Sequence, residues 1–136
     1  MKVLIDTNVI LDVFMRRAEY AEYAEAVLCL CGGNVKGYLL ASQTTDIFYL
    51  LCRAGKKTDF VKSILKTLAD NLTIVDTTAA DVRNALDFDM PDYEDALLAV
   101  AAKRIKADCI ITRNQKDFAG STIIAHSPQE FLKRYY

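Results

Sequence analysis

Apolar residues in this chain come in short unbroken runs, separated by stretches in which they recur every three or four positions. The unbroken runs lie at Val3–Asp6, Gly37–Ala41, Leu72–Val75, Cys109–Thr112 and Thr122–Ala125. A strand wetted on one face alternates apolar with polar residues, and these mostly do not. They therefore predict strands buried on both faces, as in a parallel sheet covered by helices. The stretches between them predict helices over Asn8–Met15, Glu19–Cys31, Ser42–Cys52, Thr58–Ala69, Thr78–Phe88 and Asp92–Ile105, with a last helix opening at Ser127-Pro128. Gly32-Gly33-Asn34 stops the second helix. Ser42 and Thr78 are N-cap residues, and Pro128 suits a first helical turn. Crossovers between parallel strands are right-handed. The expected fold is α/β: a three-layer α/β/α sandwich with a mostly parallel five-stranded sheet. A length of 136 residues predicts a single domain over residues 1–136. In such sheets a site forms outside the carboxyl ends of the strands, where the strand order reverses.

Composition narrows the chemistry. Hydrophobic residues make up 52% and charged residues 26%, and the net charge is −1. No global field draws a polyanion, so one must be held locally, by a basic patch or a bound metal. Cys29-x-Cys31 is not a zinc-type pair, and the single His126 has no thiol near it in sequence. Reduced, buried cysteines in a cytoplasmic protein are expected. The N-terminus leads into a four-residue apolar strand, and the apolar stretch Ala96–Ala102 ends at Lys103-Arg104. Neither is long enough for a signal peptide core or a membrane span.

The first strand runs through KVLI into Asp6, Thr7 and Asn8. Other carboxylates stand where strands end or helices begin: Asp46 after the second strand, Asp92, Glu94 and Asp95 before the fourth, and Asp117 after it. Each has a plainer reading. Asp6 suits a helix cap, and Asp92 with Asp95 suits a capping box worth about 0.3–1 kcal/mol through the helix dipole. Asp46 and Asp117 suit exposed positions. Jointly they weigh more. Two unit charges about 4 Å apart repel by roughly 4 kcal/mol at an effective dielectric near 20. A hard divalent cation offsets that cost, and oxygen donors without His or Cys favour Mg²⁺ or Mn²⁺. Such an ion lowers the pKa of bound water and clamps phosphate oxygens. Arg16, Arg113 and Lys116 are basic residues positioned to flank a phosphate strand, beside Arg17, Arg53, Lys56 and Lys57.

DTNVILD at Asp6–Asp12, ASQTTDI at Ala41–Ile47, DYEDALLAVAA at Asp92–Ala102 and IITRNQKDF at Ile110–Phe118, in this order and spacing, resemble the PIN-domain family. The resemblance runs the full length and is strongest to its small single-domain VapC-type toxins. It implies a Mg²⁺- or Mn²⁺-dependent endoribonuclease with a metal-activated water. Asp6 and Asp95 match the family's metal-binding acids. Asp46 stands where the family usually has glutamate. Asn114 stands where many members have a fourth acid, a charge that Asp117 can supply instead. Thr7, Asn8 and Thr112 match supporting polar positions, with Asp92 beside them. The resemblance also implies an RNA substrate, an antitoxin partner and a homodimer. The departures at Asp46 and Asn114 sustain an alternative: a catalytically weak or inactive PIN-like module that binds RNA or protein.

Two other α/β classes fit less well. A receiver domain with Asp76 as phosphoacceptor needs adjacent acids after the first strand, but Thr7 follows Asp6. A haloacid-dehalogenase-type phosphatase needs an aspartate where Asn8 stands. Glycine-rich phosphate loops are absent.

Overall fold

The computed structural model describes residues 1–136. Five strands form the sheet: β1 (Lys2–Ile5), β2 (Lys36–Leu40), β3 (Thr73–Val75), β4 (Cys109–Ile111) and β5 (Ala125–His126). Their order is β3-β2-β1-β4-β5 and every pairing is parallel. The helices are α1 (Thr7–Phe14), α2 (Ala21–Cys31), α3 (Ala41–Arg53), α4 (Thr58–Asn71), α5 (Ala79–Leu86), α6 (Tyr93–Arg104) and α7 (Pro128–Tyr135). A 3-10 turn spans Gln115–Phe118.

The unbroken apolar strands are explained by two cores, one per face. Val3 and Ile5 of β1, with Leu39, Cys109 and Ile111, join α1, α2, α3, α4 and α7. Leu4, Tyr38, Leu40 and Ile110 point the other way, against α5, α6 and Phe118. This is the expected α/β/α sandwich, with a sheet that is parallel throughout. No helix is long and apolar enough to cross a membrane. The four cysteines carry free thiols, and Cys31 and Cys109 are buried.

The chain runs from β1 outward to β3, then returns to β4 on the other side of β1. The strand order therefore reverses beside β1, and Asp6 lies at that switch point. The Asp6 N–H still donates to Ile111 O at 2.9 Å, so the residue is tied to β4 as well as β1.

Two local expectations are corrected. The fifth strand is Ala125–His126, not Thr122–Ala125. The Ser121 hydroxyl accepts from the Ile123 N–H at 3.0 Å and donates to Ile123 O at 2.8 Å. That closed turn holds Thr122 and Ile123 out of the ladder, while Ile124 O still accepts the Ile110 N–H at 2.9 Å. Ser42 does not cap α3, because the helix starts one residue earlier, at Ala41. Gln43 supersedes it: its Oε1 accepts the Leu40 N–H at 2.7 Å. The Gln43 amide then donates to Ile5 O at 2.8 Å and to Thr7 Oγ1 at 3.2 Å. Ser42 instead accepts from the Thr77 hydroxyl at 2.9 Å.

Gln43 is 2% exposed and ties the end of β1 to the start of α3. Replacing it with leucine strands a buried N–H and a buried carbonyl. We expect Gln43→Leu to cost about 2–4 kcal/mol, read as a lower urea midpoint at unchanged slope. A loss below ~0.5 kcal/mol would show that this amide is not what holds the two strand ends together.

Candidate active site

The end of β1 carries a carboxylate that is nearly out of water. Asp6 is 6% exposed. It precedes α1 but makes no side-chain cap. Its Oδ2 accepts instead from the Thr112 hydroxyl at 2.8 Å and from Asn8 Nδ2 at 3.2 Å. Thr112 sits directly after β4 and is fully buried. Its oxygen also accepts the Asn114 N–H at 3.1 Å. Asn8 Oδ1 accepts the Arg113 N–H at 3.3 Å. Thr7 accepts from Gln43. Asn8 and Thr112 thus stitch the ends of β1 and β4 together around Asp6, while Thr7 is bonded to Gln43 of α3. Asn114 takes part through its backbone N–H.

The second wall is the start of α6. Asp92 caps the helix, accepting the Asp95 N–H at 2.9 Å. Asp95, in the first turn, feels the other acids. Partial burial and then the charges of Asp92, Asp6, Asp117 and Glu94 push its carboxyl up to about 7. Burial raises Asp6 first, and Asp117 and Asp92 raise it further, against the lowering bonds from Thr112 and the Thr7 backbone. Asp117 comes from the 3-10 turn. Beside it, Asp92, Asp95, Lys116 and Asp117 line an open cavity of about 440 Å³. Gly120 shapes its far wall: a β-carbon there would stand 2.9 Å from Asp89 O.

Asp6, Asp92, Asp95 and Asp117 therefore share one rim. Asp46 lies to one side. It is exposed on α3, and lines a neighbouring cavity with Glu94 and Tyr93. Glu94 links the two places, its carboxyl raised by loss of solvation and then by Asp46, Asp6 and Asp92. Among the basic residues, Lys116 lines the acidic cavity. Arg16 is exposed just past α1 in a left-handed conformation, φ 48°. Arg113 is already engaged: its Nε donates to Asp12 Oδ2 at 2.9 Å and its guanidinium lies 4.4 Å from the Tyr20 ring centre.

Asp12 and Glu94 are the site-region residues that the sequence left without a role. Asp12 is fully buried and also accepts from Arg17 at 3.0 Å. The signal for Glu94 was its place between Asp92 and Asp95. For Asp12 the local signal was Arg17, five residues on; its second partner, Arg113, is 101 residues away.

The rim offers only oxygen donors. His126 is packed edge-on against Tyr135 at 5.9 Å, and Cys31 and Cys109 are in the cores. No three acids stand close enough to form a closed coordination set. Mg²⁺ does not require one, since it binds through one or two carboxylates and keeps several waters. A hard divalent cation fits this donor set, and a soft metal does not.

Residues 2–116 match the PIN domain family, and the chain belongs to it. It is 30% identical over 141 residues to Ribonuclease VapC1 of Aquifex aeolicus, covering 98% of this chain and 95% of that protein. Its fold is similar to VapBC2 from Rickettsia felis, solved bound to a DNA fragment from their promoter: TM-score 0.74, 18% identity, 93% of this chain and 98% of that one. It is also similar to a toxin-antitoxin complex from Klebsiella pneumoniae: TM-score 0.65, 19% identity, 93% and 97% covered.

The raised Asp95 carboxyl sets a sign. The folded chain holds a proton there that the unfolded chain has released, between the ordinary aspartate value of 3.8 and about 7. The metal-free protein therefore loses this contribution as pH rises through that window. Asp95→Asn should raise the melting temperature by about 2–6 °C at pH 8, and the gain should shrink towards pH 5. A gain equal at both pH values would show that charge is not its cause.

Proposed function

We propose that this chain, as one domain, is a Mg²⁺- or Mn²⁺-dependent endoribonuclease and the toxin of a toxin–antitoxin pair. The observation that carries the proposal is the set of unpaired acids at the β1–β4 switch point: Asp6, Asp95 and Asp117, with Asp92 beside them. None of the four has an arginine or lysine salt-bridge partner. The ribonuclease name of the Aquifex aeolicus relative supports the reaction. The Klebsiella pneumoniae complex supports the antitoxin partner.

In this reading Asp6 and Asp95 hold the ion, and Asp117 completes the charge. When bound, the ion supplies a water of lowered pKa and neutralises the phosphate. The chain's own residues set the geometry. The Thr112 hydroxyl and Asn8 amide hold the Asp6 carboxylate in one orientation. Asp92, by capping α6, fixes the backbone from which Asp95 projects. Lys116 is placed to meet a phosphate oxygen beside the acids. Asp46 acts with Glu94, at a distance from Asp6. Arg16 contacts the RNA backbone from the end of α1, and Arg113 contributes a planar surface. Exposed Tyr49, Phe60, Leu86 and Tyr93 offer apolar area for a second copy or the antitoxin.

A second reading, a PIN-like module that binds RNA or protein without cutting it, draws on two observations: the exposure of Asp46 and the absence of a closed ligand set.

Purified protein should cleave single-stranded RNA with Mn²⁺ or Mg²⁺ and not with EDTA. Asp6→Asn and Asp95→Asn should each lower the rate on the order of 10²-fold or more, since several kcal/mol of charge stabilisation is lost. Asp46→Asn should cost less than either. Metal-induced stabilisation without cleavage would favour the non-catalytic module. Cleavage by Asp6→Asn at the wild-type rate would sink the site assignment.

A further inference from the structure

On the α1–α2 face, separate from the cavity that Asp92, Asp95 and Asp117 line, lies a second cavity of about 340 Å³. Tyr20, Tyr23, Arg113, Glu19, Ser127 and Gln129 line it. Tyr20 and Tyr23 are 38% and 39% exposed. They are not loose. The Arg113 guanidinium lies 4.4 Å from the Tyr20 ring centre and is itself pinned to buried Asp12. Gln129 Nε2 donates to the Tyr23 hydroxyl at 3.4 Å.

We propose that this cavity receives one unpaired nucleobase of a single-stranded RNA, stacked on the Tyr20–Arg113–Tyr23 platform next to the cleavage site. The inference rests on the ribonuclease reading above. Three features support it. Flat aromatic rings and a guanidinium plane are what bind splayed-out bases. Charge argues against a phosphate: among the lining residues Arg113 contributes +1, Asp12 and Glu19 contribute −2, and the sum is −1. Glu19, Ser127 and Gln129 can instead accept from and donate to the polar edge of a base. Finally, one lining residue, Arg113, is linked to the acids by a chain of hydrogen bonds. The Arg113 N–H donates to Asn8, and Asn8 donates to Asp6. A base held there belongs to a nucleotide close to the scissile phosphate. Arg113 thereby serves as a planar surface rather than a free cation, and Asp12 is the positioning residue that holds it flat.

The test uses short single-stranded RNAs carrying 2-aminopurine at one position each. They are bound in Mg²⁺ to the full chain bearing Asp95→Asn, which prevents cleavage. Fluorescence should be quenched at one or two adjacent positions only. Adding Tyr20→Ala should abolish that quenching and weaken RNA binding about 5- to 150-fold, while Tyr20→Phe preserves both. Tyr20 is exposed, so truncation leaves the cores intact. Quenching that is uniform along the RNA, or unchanged in Tyr20→Ala, overturns the base pocket. So does a Tyr20→Ala chain that loses only a protein partner's affinity. Cleavage by the native chain is measured in parallel. Cleavage without position-dependent quenching sinks the pocket and keeps the nuclease. Quenching without cleavage sinks the nuclease and keeps the pocket.

Discussion

A carboxyl group in a nearly dry place is the constraint around which this molecule is arranged. Asp6 ends the central strand, and its only side-chain partners are a hydroxyl and an amide. Those bonds orient the group without neutralising it. Removing such a charge from water is costly unless a counter-charge answers it. The sheet topology adds to the cost. Because β1 lies at the centre and the strand order reverses beside it, the ends of β1 and β4 and the start of α6 meet at one rim. Each brings an acid, directly or one short turn away. Loss of solvation and then repulsion among them raise Asp6 and Asp95, and that cost is what a divalent cation would relieve.

The same chain pairs its other buried acids. Burial pushes Asp81 up, but the Arg104 fork at 2.9 Å and the Thr78 bonds win, and its carboxyl ends below the ordinary range. Asp12 lies between Arg17 and Arg113. The fold thus neutralises a buried carboxylate with an arginine in two places and declines to do so at the rim. Capping explains Asp92 alone, through its bond to the Asp95 N–H. It does not explain Asp6, which makes no side-chain cap on the helix it precedes.

The layers were legible from the strands because a doubly buried strand needs apolar residues on both faces, and Val3-Leu4-Ile5 supplies them. The Thr78, Asp92 and Ser127 caps were legible because each is a local contact three residues long. Failures arose where one local signal outcompeted another. Ser42 looked like a cap, but Gln43 reaches both the helix start and β1. Thr122 and Ile123 looked like strand, but the Ser121 turn removes them from the ladder. The acids Asp6, Asp92, Asp95 and Asp117 could be picked out by position, since strand ends and helix starts converge in a parallel sheet. That Asp46 stands apart, facing Glu94, depends on which side of α3 meets the rim. Spacing along the chain does not carry that information.

Arg113 is where sequence and structure differ in kind rather than in place. As a residue beside Thr112 it reads as a cation for phosphate. In the fold its charge is committed to Asp12 and its plane to Tyr20. Counterion release by basic side chains supplies most non-specific nucleic-acid affinity. A chain with net charge −1, an acidic rim and its best-placed arginine neutralised has little of that to offer. Under the proposed function, binding of RNA would rest chiefly on two local terms, the ion at the acids and flat surfaces for bases, with Lys116 and Arg16 as minor cations. The first would fix a phosphate, and the second would select which phosphate is presented. A protein built this way would engage single strands, whose bases are free to leave the stack, in preference to gripping a duplex through its backbone.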